Sequence, residues 1–242
     1  MRGWHARDPK REAPLDAAGR PALVLEILNT GERFVLPVVS AEGRFSAETL
    51  DLAAHALRDQ RSNREFPVDP EVLATLYRLQ LHFQAHSLRV VSAYRAARPG
   101  GHSRHGQGRA VDLVVPGATD REVAAFARGL GYSGVGVYLV SGFVHVDVRP
   151  RSYAWVDLSG PGQPNRARSA GGKELAEADA RARAAGRAAP RDAVTPTSDI
   201  EAALAGARGE ASGPPHDEPD RDDSDDSDDS DAELDAASGA GE

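Results

Sequence analysis

The stretch Ser103-Arg-His-Gly-Gln-Gly-Arg-Ala-Val-Asp112 brings a histidine and a carboxylate close together in the chain, and Phe143-Val-His-Val-Asp-Val148 adds a second histidine. Both stretches contain a run that is typical of a short strand. Because residues i and i+2 of a strand point to the same face, each strand has one aliphatic face and one polar face. Asp112 lies on the polar face of the first strand, and His145 and Asp147 lie on that of the second. Two strands are therefore predicted to carry a site on one side and a core on the other.

His105, Asp112 and His145 make a donor set that suits one divalent metal ion. Zinc sites that perform chemistry usually take three protein ligands from imidazole and carboxylate and keep a fourth position for water. His105 precedes the first strand in the glycine-rich segment Gly106-Gln-Gly108, which suits a backbone that must turn and approach a neighbour closely. A lone histidine is more often a surface or core residue than a ligand, and that reading applies to His5, His55, His82, His86 and His216.

The pattern Ser-x-His-x-x-Gly-x-Ala-x-Asp with a later His-x-Asp resembles the M15 family of zinc peptidases that act on bacterial cell walls. The likeness is greatest to the murein endopeptidase branch of the D-Ala-D-Ala carboxypeptidase-like proteins, in which a Ser-Gly-Tyr-Arg element precedes the motif. Here that element reads Ser92-Ala-Tyr-Arg95, and Gly134-Val-Gly-Val-Tyr138 before the second histidine is also similar. The resemblance covers residues 21–157.

The resemblance implies a zinc-dependent peptidase that hydrolyses peptide bonds in the stems or cross-links of peptidoglycan, as an endopeptidase or a carboxypeptidase. It implies zinc on His105, Asp112 and His145, and Arg95 near a carbonyl or carboxylate of the substrate. Two features depart from the family. Several members carry a carboxylate as general base three residues before the last histidine, where this chain has Gly142. The loop between Arg95 and His105 is also short, which leaves the substrate preference open.

Asp147 is the predicted general base, because a metallopeptidase needs a group that takes the proton from water and returns it to the leaving amine. The same carboxylate is equally placed to orient a ligand histidine. His102 is a further candidate for proton transfer. If the chain has lost its base, as Gly142 permits, the opposing hypothesis is a catalytically inactive, metal-containing domain that binds the cell wall.

Other residues around the motifs have less specific readings. Arg95 could instead pair with a surface carboxylate, and Tyr94 fits a site or a core equally well. Ser103 and Gln107 suit either the rim of a site or the stabilisation of a loop. The glycines of residues 134–136 do not make a phosphate-binding loop, since no third glycine, Lys-Ser pair or following helix accompanies them.

Composition divides the 242 residues into a domain and a tail. The net charge is +3 up to residue 160 and −11 beyond it, which together make the −8 of the chain. We predict a flexible segment over residues 1–20, a domain over residues 21–158 and a disordered acidic tail over residues 159–242, because the tail lacks the apolar residues that offset chain entropy. Within the tail, residues 173–187 suit a helix. The Asp-Asp-Ser repeat of residues 222–231 predicts a solvated stretch, or weak binding of a divalent cation or a basic partner.

Three predicted strands precede the first motif. Residues 22–28 and 33–39 form a hairpin pattern, and Pro37 favours an edge strand because proline lacks a backbone N–H. Residues 88–92 form a strand that leads into Arg95, so this arginine is expected at a strand end beside the site.

Three helices are predicted from their first turns. Ser46 caps a helix that runs to Arg61, Asp69 with a following proline caps a second, and Thr119-Asp-Arg-Glu122 is a capping box for a third. The second helix has its buried stripe at helical spacing, on Val72, Leu76, Leu79 and Phe83. Together, these predicted strands and helices indicate an α+β domain with a small, mainly antiparallel sheet and flanking helices. The family resemblance implies the same kind of fold, that of the hedgehog and D-Ala-D-Ala peptidase group.

Cysteine is absent, so disulfides and thiolate ligands are excluded. No segment has the length and apolarity of a membrane span, and the first residues, Met1-Arg-Gly-Trp-His5, contain no apolar signal region. The resemblance implies that the protein acts in the periplasm or cell envelope, which conflicts with this first segment. We therefore expect that the natural protein starts elsewhere, that it is exported by another route, or that it acts on imported wall fragments. Nothing in the sequence predicts binding to nucleic acid or an oligomeric state.

Overall fold

The computed structural model describes residues 3–6, 12–96, 103–160, 163–164 and 166–191. These residues form an α+β fold with a single sheet. The described residues contain eight strands: β1 (Leu23–Ile27), β2 (Arg33–Leu36), β3 (Leu88–Ser92), β4 (Ala110–Val114), β5 (Ser133–Tyr138), β6 (Phe143–Val148), β7 (Tyr153–Asp157) and β8 (Ala167–Ser169). They also contain four α-helices: α1 (Ala47–Ala56), α2 (Pro70–His82), α3 (Asp120–Gly129) and α4 (Lys173–Ala184).

All eight described strands belong to one sheet, in the order β2-β1-β3-β4-β6-β5-β7-β8. Five of their seven pairings are antiparallel, while β1 with β3 and β5 with β7 are parallel. The predicted α+β class and mainly antiparallel sheet are confirmed. The expectation of a small sheet was wrong, because the sheet has eight described strands. Beyond β6 it continues with β5 and β7, and β8 adds a strand from outside the predicted domain.

The predicted hairpin and the predicted edge position are both present. β1 pairs with β2 in antiparallel register from Leu23↔Leu36 to Glu26↔Arg33. β2 ends at Leu36 and lies at one edge of the sheet, so Pro37 follows the last paired residue and costs no ladder hydrogen bond.

The three predicted helix caps are also present. Ser46 accepts the N–H of Thr49 at 3.2 Å, Asp69 accepts that of Glu71 at 2.9 Å, and Thr119 forms a capping box with Glu122.

The first helix is shorter than predicted and ends at Ala56, not Arg61. Leu57 gives its carbonyl to the N–H of Tyr94 at 3.0 Å. The Arg58 guanidinium turns back to the carbonyl of His55 and to Glu32. The Leu57 carbonyl, which would accept from Arg61 in a longer helix, is therefore taken by a distant segment.

The sheet separates a core from a polar face, as the alternation in β4 and β6 predicted. Val111, Leu113, Val144, Val146 and Val148 are buried in one apolar cluster with side chains of α2 and α3. The residues that alternate with them therefore point to the opposite face. Within the described residues no helix is both long enough and apolar enough to cross a membrane.

Folded elements extend beyond the predicted domain limits of residues 21 and 158. Residues 3–5 form a short turn in which His5 is buried and contacts Asp120 at 2.9 Å. β8 pairs with β7, and α4 buries Leu175 and Asp179. A few buried contacts hold these segments, and composition alone does not reveal them. The suggested helix within residues 173–187 is confirmed, while the Asp-Asp-Ser repeat lies outside the described residues.

Asp179 anchors α4 to the sheet domain. Its carboxylate accepts the backbone N–H of Tyr132 at 2.6 Å and of Ser152 at 2.9 Å, and the Ser152 hydroxyl at 2.5 Å.

We expect Asp179→Ala to lower the free energy of unfolding by about 1 to 3 kcal/mol, because a buried backbone donor loses its acceptor. Urea unfolding checks this. The matched control is Glu177→Ala, an exposed carboxylate of the same helix, for which a change below about 0.5 kcal/mol is expected. Equal effects of both substitutions would contradict the anchor.

Candidate metal centre

The antiparallel register of β4 and β6 places the motif residues side by side. Asp112 lies opposite His145, and Ala110 lies opposite Asp147. Directly paired residues share a face and have Cβ atoms about 4.5 to 5.5 Å apart. The register therefore brings one carboxylate and one imidazole together without any loop contribution.

His105 reaches the same point from a short 3-10 turn, His105–Gln107, that precedes β4. The turn ends at Gly108, whose φ of +65° favours glycine, and a Cβ there would overlap the carbonyl of Pro67. The N–H of Asp69 donates to the Gly108 carbonyl at 2.9 Å, which ties the turn to the start of α2. The His105 ring is oriented by its Nδ1, which lies 2.5 Å from the carbonyl of Ala93.

The three predicted ligands converge on one point. His105 Nε2 lies 3.1 Å from His145 Nδ1 and 3.4 Å from Asp112 Oδ1, and His145 Nδ1 lies 2.9 Å from Asp112 Oδ1. One donor atom from each residue lies within 4.8 Å of the others, and all three residues are buried. Buried groups of this type need a partner. Two imidazole nitrogens and one carboxylate oxygen fit a divalent metal ion.

Asp147 stands behind His145, on the side away from the other two donors. Its Oδ2 accepts from His145 Nε2 at 3.0 Å. Arg149 holds the same carboxylate at both oxygens, with Nε 2.7 Å from Oδ1 and Nη2 on Oδ2. The Asp147 side chain is fully buried. This is the arrangement of a carboxylate that orients a ligand histidine, the second of the two roles considered for Asp147, and it does not support the role of general base.

The charged groups of the cluster determine one another's protonation. Burial alone would lower the pKa of His145, yet hydrogen bonds and charges from Asp112 and Asp147 outweigh it and raise that pKa to about 10. Burial would raise the pKa of Asp112, but the charge and hydrogen bond of His105 and those of His145 hold it well below its usual range. The pKa of Asp147 is lowered in the same way, against burial, mainly by Arg149. Without metal, His145 is therefore a cation between two carboxylates at neutral pH.

Glycines and aromatic rings complete the polar face next to the ligands. On β5, Gly134 lies opposite Asp147 and Gly136 lies opposite His145. A Cβ at Gly134 would overlap the Asp147–Arg149 pair, and one at Gly136 would overlap the indole of Trp155. These glycines leave room for neighbouring side chains, which gives the Gly134–Tyr138 run a physical reason other than phosphate binding.

Sequence reasoning missed Arg149 and Trp155. Arg149 lies two residues after Asp147, as Asp147 lies two residues after His145. Continuing the i, i+2 alternation past Val148 would therefore have placed Arg149 on the same face. Trp155 lies on β7, with its ring centroid 5.0 Å from that of His145. Its proximity depends on the parallel pairing of β5 with β7, which no local pattern indicates.

The remaining predicted residues lie around this centre in different settings. Tyr94 is buried and stacks on Phe66 at 4.9 Å between ring centroids, which favours the core reading. Gln107 accepts from the Arg104 side chain at 3.2 Å and so stabilises the loop.

Arg95 lines a pocket at the end of β3. Gly142 lies in the turn before β6 with a φ of +74°. His102 lies outside the described residues.

Metal binding at this centre should release a proton. A ligand histidine must be neutral, whereas His145 is protonated up to a pH of about 10 in the metal-free protein. The metal must displace this proton, and pH 7 to 9 lies below the pKa of about 10, so the apparent affinity for Zn²⁺ is expected to rise about tenfold per pH unit over this range. Competition with a chromophoric chelator measures this affinity, and an indicator dye in weak buffer measures the released proton. An affinity that does not change over this range would contradict the coupling.

Comparison with known proteins gives one consistent result. The family described as peptidoglycan L,D-endopeptidase MepK, within peptidase M15, matches residues 16–155. The chain is 30% identical over 141 residues to a probable peptidoglycan L,D-endopeptidase MepK of Haemophilus influenzae, an alignment that covers 53% of this chain and 75% of the relative. It is 32% identical over 140 residues to peptidoglycan L,D-endopeptidase MepK of Escherichia coli K12, covering 53% and 76%. The family match spans every residue of the centre, and no solved structure matches the chain.

Proposed function

Because the chain belongs to the MepK family of M15 peptidases, we propose that it is a zinc-dependent peptidase that hydrolyses an L,D-peptide bond in peptidoglycan. The observation that carries this proposal is the convergence of His105 Nε2, Asp112 Oδ1 and His145 Nδ1 in one buried cluster. The relatives named above act on peptidoglycan, so the place of work proposed here is the periplasm or cell envelope.

His105, Asp112 and His145 are the proposed metal ligands. Two imidazoles and one carboxylate with no thiolate are the donors of many catalytic zinc sites, and cysteine is absent from the chain. Zinc bound by three protein ligands lowers the pKa of water and polarises a carbonyl as a Lewis acid. The carbonyl of Ala93 accepts from His105 Nδ1, so the Nε2 lone pair faces the other two donors.

Asp147 and Arg149 are proposed to position His145. Asp147 accepts the His145 Nε2–H, which leaves the Nδ1 lone pair for the metal, and Arg149 holds the carboxylate in place. An Asp147 that accepts from both neighbours and has its pKa lowered is a poor proton acceptor. We therefore propose a positioning role for Asp147 in place of the predicted base, and Arg95 keeps the proposed role of contacting a substrate carbonyl or carboxylate.

The proposed activity is tested with purified sacculi and the full chain. We expect release of new amine termini that stops with a chelator, returns with Zn²⁺ and is lost in His105→Ala, because this substitution removes one of three ligands. His55→Ala is the matched control, since His55 is an exposed histidine of α1 that contacts Glu65 at 2.7 Å. Pelleting of the protein with sacculi without any cleavage would instead support the opposing hypothesis of an inactive binding domain, which Gly142 makes worth testing.

The role of Asp147 is tested by Asp147→Asn. Loss of a carboxylate that orients a ligand histidine usually lowers metal affinity or activity by about 10- to 100-fold. We expect the metal affinity to fall by this factor and saturating Zn²⁺ to restore a large part of the activity. Elemental analysis and the sacculus assay measure both. A variant that binds zinc as tightly as wild type but is inactive would show that Asp147 is the base after all.

A further inference from the structure

The two carboxylate oxygens of Asp69 serve different partners. Oδ1 accepts the N–H of Glu71 at 2.9 Å and so caps α2. Oδ2 accepts from Arg109 Nε at 3.1 Å. A helix cap needs one of these oxygens, so the contact to Arg109 is additional to capping. It joins the start of α2 to the residue that lies between the His105 turn and β4.

The backbone of Arg109 links two segments that carry predicted metal ligands. Its N–H donates to the Arg104 carbonyl at 2.9 Å, which closes the turn that contains His105. Its carbonyl accepts the N–H of Val148 on β6 at 3.2 Å, three residues beyond His145. A displacement of Arg109 would therefore move the turn of one ligand relative to the strand of another.

His105 is the ligand that strand pairing does not place. Asp112 and His145 are paired residues of β4 and β6, so the sheet sets their separation. His105 lies outside both strands, and the Ala93 carbonyl orients its ring. That contact fixes the direction of the ring, whereas the distance of the ring from the other two donors depends on where the turn lies.

Asp69 holds this turn against α2 at two points. Its backbone N–H donates to the Gly108 carbonyl at 2.9 Å, and its carboxylate binds the guanidinium of Arg109. Arg109 is only 2% exposed, and a buried charge is costly unless it is paired. The helix is a firm support, because Leu73 and Leu76 of α2 are fully buried in the apolar core. Loss of the carboxylate would thus loosen Arg109 and, with it, the turn.

We propose that Asp69 is a positioning residue for His105, which it holds through Arg109, so that the start of α2 contributes to the metal affinity of the centre. The proposal rests on the function proposed above, in which His105 is a metal ligand. It assigns to Asp69 an effect on metal binding although Asp69 is not itself a ligand. A role in helix capping alone would affect stability and leave metal affinity unchanged.

The test compares Asp69→Asn and Asp69→Ser in the full chain. Asparagine and serine cap helices about as well as aspartate, so α2 keeps its cap. Neither residue offers a second, anionic oxygen to Arg109. Mutation of a group that holds a metal ligand in place usually costs about 10- to 100-fold in metal affinity, and we expect a loss in this range. Competition with a chromophoric chelator measures the Zn²⁺ affinity, and urea unfolding measures stability.

Cobalt(II) provides a second readout that does not depend on stability. It can take the place of zinc, and its visible absorption spectrum reports the number and geometry of its ligands. We expect the spectrum of Co²⁺-loaded Asp69→Asn to differ from that of wild type, because the His105 imidazole no longer lies at its position beside the other two donors.

Thr119→Ala is the matched control, because it removes the cap of another helix. Thr119 accepts the N–H of Glu122 at 3.3 Å, and its partners among the described residues, Glu122 and Val123, both belong to α3. We expect this variant to unfold at lower urea concentration than wild type while its Zn²⁺ affinity and Co²⁺ spectrum stay the same.

Wild-type affinity and a wild-type spectrum in both Asp69 variants would overturn the proposal. An equal loss of affinity in Thr119→Ala would also overturn it, since the effect would then follow stability. Sacculus hydrolysis is scored separately. A wild-type protein that binds zinc but leaves sacculi intact would refute the peptidase, while the affinities would still decide the role of Asp69.

Discussion

The antiparallel register between β4 and β6 is the constraint on which the rest of the site depends. It sets Asp112 opposite His145 and Ala110 opposite Asp147. A slip of one residue would turn every polar side chain of one strand into the core and every valine out of it. The apolar alternation of both strands against α2 and α3 therefore fixes the positions of Asp112 and His145. Burial of the core and geometry of the site are two consequences of one pairing.

The buried polar groups that form the site at this pairing cost folding stability. Five ionisable residues of the centre are buried: His105, Asp112, His145, Asp147 and Arg149. Burial of a charge is costly unless it is paired. Without metal the proton on His145 balances Asp112 and Asp147, and Arg149 balances Asp147 from the other side. A divalent ion that displaced this proton would bring two positive charges in place of one. The buried carboxylates would thus face positive charge both without and with the metal.

Much of this arrangement was predictable because it follows from local periodicity and spacing. The hairpin, the three helix caps and the two faces of β4 and β6 each depend on residues close in the chain, so propensity and alternation indicate them. The end of α1 was not predictable, since Tyr94 N–H takes the Leu57 carbonyl from a distant segment. The attachment of α4 was equally hidden, because Asp179 meets its partners only across the fold.

The sequence by itself determined which residues could bind a metal, since His105, Asp112 and His145 carry the donor atoms and the alternation of each strand puts them on a polar face. It also placed Asp147 on that face. Only the tertiary structure places the Asp147 oxygens against His145 and Arg149, because these contacts depend on side-chain positions that a strand pattern does not specify. They support the positioning role that we propose for Asp147. The tertiary structure likewise brought Trp155 beside His145 and the loop after α1 beside β3, because such contacts arise from strand order and packing between segments far apart in the chain.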